Sequence, residues 1–391
     1  MLPLFLAAAC GGVPRAAAPR VPRSTTTFLG AGPTTSTSTP APTTTITTGP
    51  TGPAGPAGPA GNGQPPFTIA SVTFVSAQMG WVLGGTCQKT ICQATMYRTD
   101  NGGRSWIPAP APPISGDSPG AVSEVRFADA NDGWVVGSTQ PDPNSQLWST
   151  HNGGATWELV ALPAAVTNAP LSDLEASDGR VYATFCSDQV NIGMSPVGRD
   201  DWTLSKTVLQ IGAGPICDHQ MTLQRATGWL INVDRTVING ARLEGGSWVP
   251  WSPPCATSGG PGELAASDSM HLVAVCDAGV YAGPVGTMVS FSHNGGATFD
   301  PAPQILPSAS YGPLASPRPG VVIMGGQDDL MGTFDGGATW SPLYPTGRDG
   351  WSYVGFTTTL QGVGLQQSGA LLMTYDGGHT WAPVALPTPT S

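Results

Sequence analysis

The string TFDGGATW at residues 333–340 returns as TYDGGHTW at 374–381. Looser copies precede both: TDNGGRSW ending at Trp106, THNGGATW at Trp157 and SHNGGATF at Phe299. A motif copied along a chain constrains architecture more than any single residue can, because every copy needs equivalent surroundings. Between Trp157 and Phe299 there is room for two more units, and degenerate copies stand there, SPVGRDDW ending at Trp202 and ARLEGGSW at Trp248. The seven closing aromatics are 51, 45, 46, 51, 41 and 41 residues apart.

A second pattern runs in phase with the first. SVTFVSAQMGWVLGG precedes the first string, EVRFADANDGWVVGS the second and YVGFTTTLQGVGLQQ the last, with weaker equivalents between. Each is an apolar run, a polar turn and a second apolar run, which reads as strand, tight connection, strand. Strands on either side of the corner string bring each unit to four. Seven such units predict an all-β, seven-bladed β-propeller over residues 66–391, since radial repetition buries the faces of small sheets without long free edges. With 53 Gly and 40 Pro, the composition suits turn-rich β structure better than helices. The last copy ends near the end of the chain, so ring closure is expected to join residues 66–75 to the last blade.

The chemistry of the repeated string is that of a corner. Asp335 and Asp376, with Asn101, Asn152 and Asn294 in the same place elsewhere, can accept hydrogen bonds from their own turn. Gly337 and Gly378 can supply a positive φ. Trp106, Trp157, Phe299, Trp340 and Trp381 supply an aromatic plate beneath it, burying about 150–250 Å² each. None of these roles needs a substrate, and an active site needs one asymmetric constellation where this chain has seven similar corners.

These strings resemble the Asp box of sialidases, sortilin-type receptors and the photosystem II assembly and stability factor family. The layout of Phe, Gly-Trp and the Asp/Asn-Gly-Gly corner is most similar to that last family, over residues 67–387. The resemblance implies a propeller that binds or helps to assemble other proteins, with the boxes at its outer rim.

The N-terminus points to export. MLPLFLAAAC is a short apolar run ending in small residues before Cys10, and it resembles the end of a bacterial lipoprotein signal peptide with Cys10 as the lipidated residue. No Lys or Arg precedes the run, so a start placed too far downstream, with an incidental Cys, is the other reading. Residues 11–65 are a Thr/Pro-rich tether ending in a short collagen-like Gly-x-y stretch, too polar to bury a core. All 25 acidic residues lie beyond residue 65, against 12 of the 15 basic ones, a formal charge of −13. Such a body repels phosphate backbones and anionic lipid, which excludes nucleic acid and leaves the membrane reachable only through a lipid anchor.

Six further cysteines remain, Cys87, Cys92, Cys186, Cys217, Cys255 and Cys276. An even number in an exported chain suggests disulfides, with sequence neighbours favoured among fifteen connectivities. Zinc is the weaker alternative because no Cys-x-x-Cys pair occurs. No metal or cofactor site is expected.

A sialidase would need an arginine triad, a Tyr/Glu nucleophile pair and an Asp acid. Arg98, Arg104, Arg126, Arg180, Arg225 and Arg235 are available, but nothing in the sequence groups three of them. Glu124, Glu158, Glu175, Glu244 and Glu263 are the only glutamates, and none sits in a recognisable catalytic context. Asp200–Asp201 and Asp328–Asp329 read as solvated pairs, and of the 12 Trp only Trp148 and Trp251 are free of the repeat patterns. The Pro-rich stretches PAPAPPISGDSPGA and TQPDPNSQ are the expected contact loops. The expectation is therefore a monomeric, non-catalytic, lipid-anchored scaffold that binds a protein partner on the outer face of a bacterial cytoplasmic membrane. The alternatives are a secreted sialidase-like glycoside hydrolase, a carbohydrate-binding propeller, or a passive wall component.

Overall fold

Each repeat folds into one antiparallel sheet, its strands paired in sequence order. A computed structural model describes residues 67–387, apart from 140–141, 211–218, 234–237, 258–261, 278–285, 303–305, 308–311, 327 and 348. Cys10, the tether, Cys217 and Arg235 lie outside the described residues. The seven blades span 67–109, 122–159, 171–210, 219–251, 262–301, 314–345 and 351–384. The first strands of successive blades lie side by side from blade 1 through blade 7, so these strands gather around a central channel. The chain is a seven-bladed propeller with no α-helix among the described residues, only two short 3₁₀ turns.

The Phe…Gly-Trp pattern has a steric origin. A Cβ at Gly80 would meet the Phe74 ring at 2.5 Å, and one at Gly133 would meet Phe127 at 2.5 Å. The aromatic ring that ends the first strand thus lies flat over the glycine that begins the second. The following Trp81 and Trp134 are fully buried. Trp81 stacks on Phe127 of the next blade with centroids 3.6 Å apart, so one pattern serves both the hairpin and the blade-to-blade contact.

Among the described residues no strand is exchanged between the first and last blades. Residues 67–74 pair only with Gly80–Gln88 of their own blade, and blade 7 is built wholly from 351–384. Closure is by packing: Ile69, Val72, Phe74, Val82, Tyr97 and Trp106 of blade 1 form one cluster with Tyr353, Val363, Leu365, Leu371 and Met373 of blade 7. At the rim, Gly102 O accepts from Gln361 Nε2 at 3.3 Å and Tyr375 Oη at 2.9 Å.

The two Pro-rich stretches are not free loops. Within 108–121, the strand Ile107–Ala109 is the outer strand of blade 1, Ser115–Gly116 adds a further short strand, and Ile114 is buried. Of 139–146, Asp142 onward belongs to the strand Asp142–Thr150. In the first, Pro108 is tolerated because the outer strand of blade 1 does not need its missing N–H.

Candidate functional site

The five well-formed corners are closed hydrogen-bond rings. In blade 6, Thr333 Oγ1 donates to Asp335 Oδ1 at 2.8 Å and accepts from Gly337 N at 2.9 Å. Asp335 also accepts from Thr339 N at 2.9 Å and Thr339 Oγ1 at 2.6 Å. Asp376 repeats this with Thr374 and Thr380 in blade 7. Asn101, Asn152 and Asn294 each accept the equivalent backbone N–H at 2.9 Å. Their Nδ2 groups donate to the hydroxyls of Ser105, Thr156 and Thr298, reversing the direction of that bond. The Thr339 hydroxyl and N–H hold the Asp335 carboxyl down at about 2. Gly336 and Gly337, at φ 74° and 83°, make the turn. Beneath the corners Trp106 and Trp381 are buried, while Trp157, Phe299 and Trp340 are half-buried. The Thr/Ser and Asp/Asn groups that define each corner thus bond back into it and are spent on the turn.

The remaining singled-out residues are also engaged. Cys87–Cys92 and Cys255–Cys276 are disulfides, and Cys186 is disulfide-bonded as well. Trp148 packs on the core between blades 1 and 2, and Trp251 donates to Gly296 O at 3.0 Å, so neither is an open sugar platform. His379 stacks on Phe334 at 3.9 Å, and His271 bonds to Asp268 at 2.9 Å. His219 is buried on the first strand of blade 4, and burial pushes its imidazole down to about 4, so it is neutral at pH 7. Asp200 is no solvated acid: it accepts from Ser149 Oγ at 2.6 Å and Trp134 Nε1 at 3.2 Å, both on blade 2.

A buried set of ionisable groups lies at the channel. Arg126, on the first strand of blade 2, donates from Nη2 to Glu124 Oε1 at 3.0 Å and forms an ion pair with Glu175, its Nη2 lying 3.1 Å from Oε1. Its Nε donates to Leu174 O of blade 3 at 3.0 Å. Asp173 accepts from Met221 N of blade 4. Further round, Gln220 donates to Glu263 at 2.9 Å and accepts from Leu264 N at 2.6 Å, while Thr222 and Gln224 donate to the carbonyls of Leu264 and Ala266. The rule is simple: the inner edge of each of blades 3, 4 and 5, left unpaired by the sheet, is bonded by polar side chains of the blade before it. That answers the requirement that buried backbone groups find partners.

Burial works against the guanidinium, but Glu175 and Glu124 more than offset it and hold the Arg126 pKa above its ordinary value. Asp173 goes the other way. Burial, then Glu124 and Glu175, raise it well above the carboxylate range, because one guanidinium cannot balance three buried carboxylates. Beside the cluster lies a small hollow of about 20 Å³ lined by Val72, Thr73, Arg126, Ala176, Tyr353 and Thr357 among others.

Sequence reasoning left these residues ungrouped. The available signal was the acid inside an apolar run, in EVRF, DLEAS and GELAAS, an arrangement rare unless the charge is paired. The cluster does not form a sialidase centre. Of the flagged arginines that the structure describes, only Arg126 reaches the channel, while Arg104 lies over the Tyr375 ring at the rim and Arg225 sits in a blade 4 turn. Glu124, Asp173 and Glu175 are only 0–2 % exposed, which closes them to a sugar ring. Among the described residues no group of three or more His, Cys, Asp or Glu is arranged to hold a metal ion. No helix among them is long and apolar enough to cross a membrane.

Geometry of this kind defines a class, the seven-bladed propeller with corner-braced blades and a bonded channel. Within it, the chain is similar in fold to YCF48 bound to a D1 peptide, at 19 % identity and a TM-score of 0.56, over 80 % of this chain and 95 % of that one. YCF48 from Cyanidioschyzon merolae is similar at 15 % identity and a TM-score of 0.56, over 80 % and 96 %. A GH74 xyloglucanase from Xanthomonas campestris matches at 12 % and 0.55, over 81 % of this chain but 54 % of the enzyme. No protein-family profile and no curated protein sequence matches the chain.

Proposed function

We propose that this chain is an exported, lipid-anchored, non-catalytic propeller that binds protein partners as an assembly scaffold at a bacterial cell surface. The observation that carries this is the state of its carboxylates. Those in the channel hold blades together, and those of the corners close their own turns, so neither set stands as an acid and base open to a substrate. A rigid propeller then offers loops and faces for recognition. The likeness in fold to YCF48, whose structure is described as bound to a D1 peptide, supports a protein partner. Disulfides at Cys87–Cys92 and Cys255–Cys276 support an oxidising compartment. On this reading residues 1–10 with Cys10 supply the anchor, 11–65 the tether and 66–391 a monomeric body whose corners are Asp boxes.

In vivo crosslinking of the full chain in its native membranes, with mass spectrometry of the adducts, tests the scaffold. The expected result is one or a few proteins crosslinked at propeller residues, with membrane association lost in Cys10→Ala. Turnover of xyloglucan or sialosides by the purified chain, or the absence of any crosslinked protein, overturns the proposal.

A further inference from the structure

Blade 3 has lost the corner ring that braces blade 2 before it. Its string, SPVGRDDW, keeps Ser195 but has Val197 where the rings of blades 1, 2, 5, 6 and 7 carry Asp or Asn, and Ser195 Oγ donates to Arg199 O instead. Of its two acids, Asp200 is bonded to blade 2, through Ser149 and Trp134. A third group joins them. His151, at the variable second position of the blade 2 corner, places Nδ1 2.6 Å from Asp132 Oδ1 in its own blade and Nε2 3.3 Å from Asp200 Oδ2 in the next.

We propose that His151 is an acid-closed clamp between blades 2 and 3, gripping the blade 3 corner when the imidazolium is bonded to both Asp132 and Asp200 and loosening it when the ring loses a proton. The chemistry is in the count of donors. An imidazolium has two N–H groups and meets two carboxylate oxygens. A neutral ring has one, so its bare nitrogen lone pair must then face a carboxylate. The charged groups facing the ring are Asp132 from the turn between the first two strands of blade 2 and Asp200 from the blade 3 corner; the remaining close neighbour is the edge of Trp134, with centroids 6.5 Å apart. Partial burial disfavours the charged ring, but the bonds to Asp132 and Asp200 outweigh it and leave the pKa raised. A raised folded pKa means the clamp's contribution is fully present below the unfolded value of about 6.5 and fades as pH rises through the folded one. The bonds from Ser149 and Trp134 do not titrate, so the corner loosens without being released.

His271 and Asp268 provide an internal control, since they pair within one turn of blade 5 and bridge no blades. The experiment is amide hydrogen exchange of the whole chain at pH 6 and pH 8.5, expressed as protection factors, together with NMR titration of the histidine rings. Protection of the 197–202 corner is expected to fall roughly two- to fivefold at the higher pH, the range for one or two exposed pairs. In His151→Gln that difference should vanish, and in Asp132→Asn the His151 ring should titrate closer to about 6.5. Equal protection at both pH values in the unsubstituted chain, or a His151 ring titrating at or below about 6.5, overturns the clamp. Loosening of the blade 5 corner to the same extent would also overturn it, since the effect would then be general.

Discussion

At the scale of the residue, one guanidinium decides how the channel is held. Arg126 is 4 % exposed, bonds two glutamates and a backbone carbonyl, and ties blade 2 to blade 3. Removing it leaves Glu124 and Glu175 buried beside each other without a cation, and such broken pairs are destabilised by about 3–5 kcal/mol. Arg126→Leu is therefore expected to lose that much in urea unfolding at pH 7. Asp173 behaves oppositely. Its folded pKa is raised, so the native chain loses stability as pH climbs from the ordinary carboxylate value of about 3.9 toward the raised one. Asp173→Asn removes that term and keeps an acceptor for Met221 N, so it should equal or exceed the native chain in stability at neutral pH. A destabilised Asp173→Asn would show that the carboxylate is ionised in the fold after all.

At the scale of the element, the repeat was legible because its signals are local. The corner string and the Phe…Gly-Trp turn each fit within one hairpin, so the sequence predicts seven four-stranded blades and the structure has them, including blades 3 and 4, whose corners are degenerate. Closing aromatics remained informative there: Trp202 and Trp248 are both buried. The Pro-rich stretch after blade 1 misled because polar, proline-dense sequence reads as loop, whereas Ile114 anchors it and Ser115–Gly116 continues the sheet. The Arg126 cluster was illegible for a different reason. Glu124 is two residues away, but Leu174 and Glu175 lie about one blade further along the chain, and no local pattern states which strand faces which. Disulfides fall between these cases, with both described bridges joining sequence neighbours. Cys87–Cys92 closes a separation of 5 and Cys255–Cys276 one of 21, for which loop entropy gives about 2 and about 3 kcal/mol. Replacing each pair by serine should lower unfolding free energy in that order. The longer bridge should be less forgiving, because Gly262 leaves room for Cys255 Sγ where a Cβ would approach to 2.4 Å. Equal losses would indicate that native-state strain, not the unfolded chain, sets the effect.

At the scale of the whole molecule, closure by packing has a consequence for connectivity. When a propeller shares a strand between its first and last blades, the chain ends are locked into one sheet. Here every sheet is a contiguous stretch, and both ends of the described chain, Phe67 and Leu386, pack against the same cluster between blades 1 and 7. The ring is thus seven equivalent wedges, each gripping the next through apolar faces and, from blade 2 to blade 5, through side chains bonded to the next inner edge. Nothing in that arrangement depends on where the chain begins. A circular permutant joining residue 387 to residue 67 by a short Gly/Ser linker, and opened within 308–311 between blades 5 and 6, keeps every blade whole. It should fold cooperatively, with a melting temperature within a few degrees of the native order, measured by circular dichroism. Opening inside a blade instead, between Gly80–Gln88 and Ile91–Thr99, removes the hairpin that carries Cys87–Cys92 and should prevent cooperative folding. If the inter-blade permutant failed as badly as the intra-blade one, the order of the blades along the chain, and not only their contacts, would be what closes the ring.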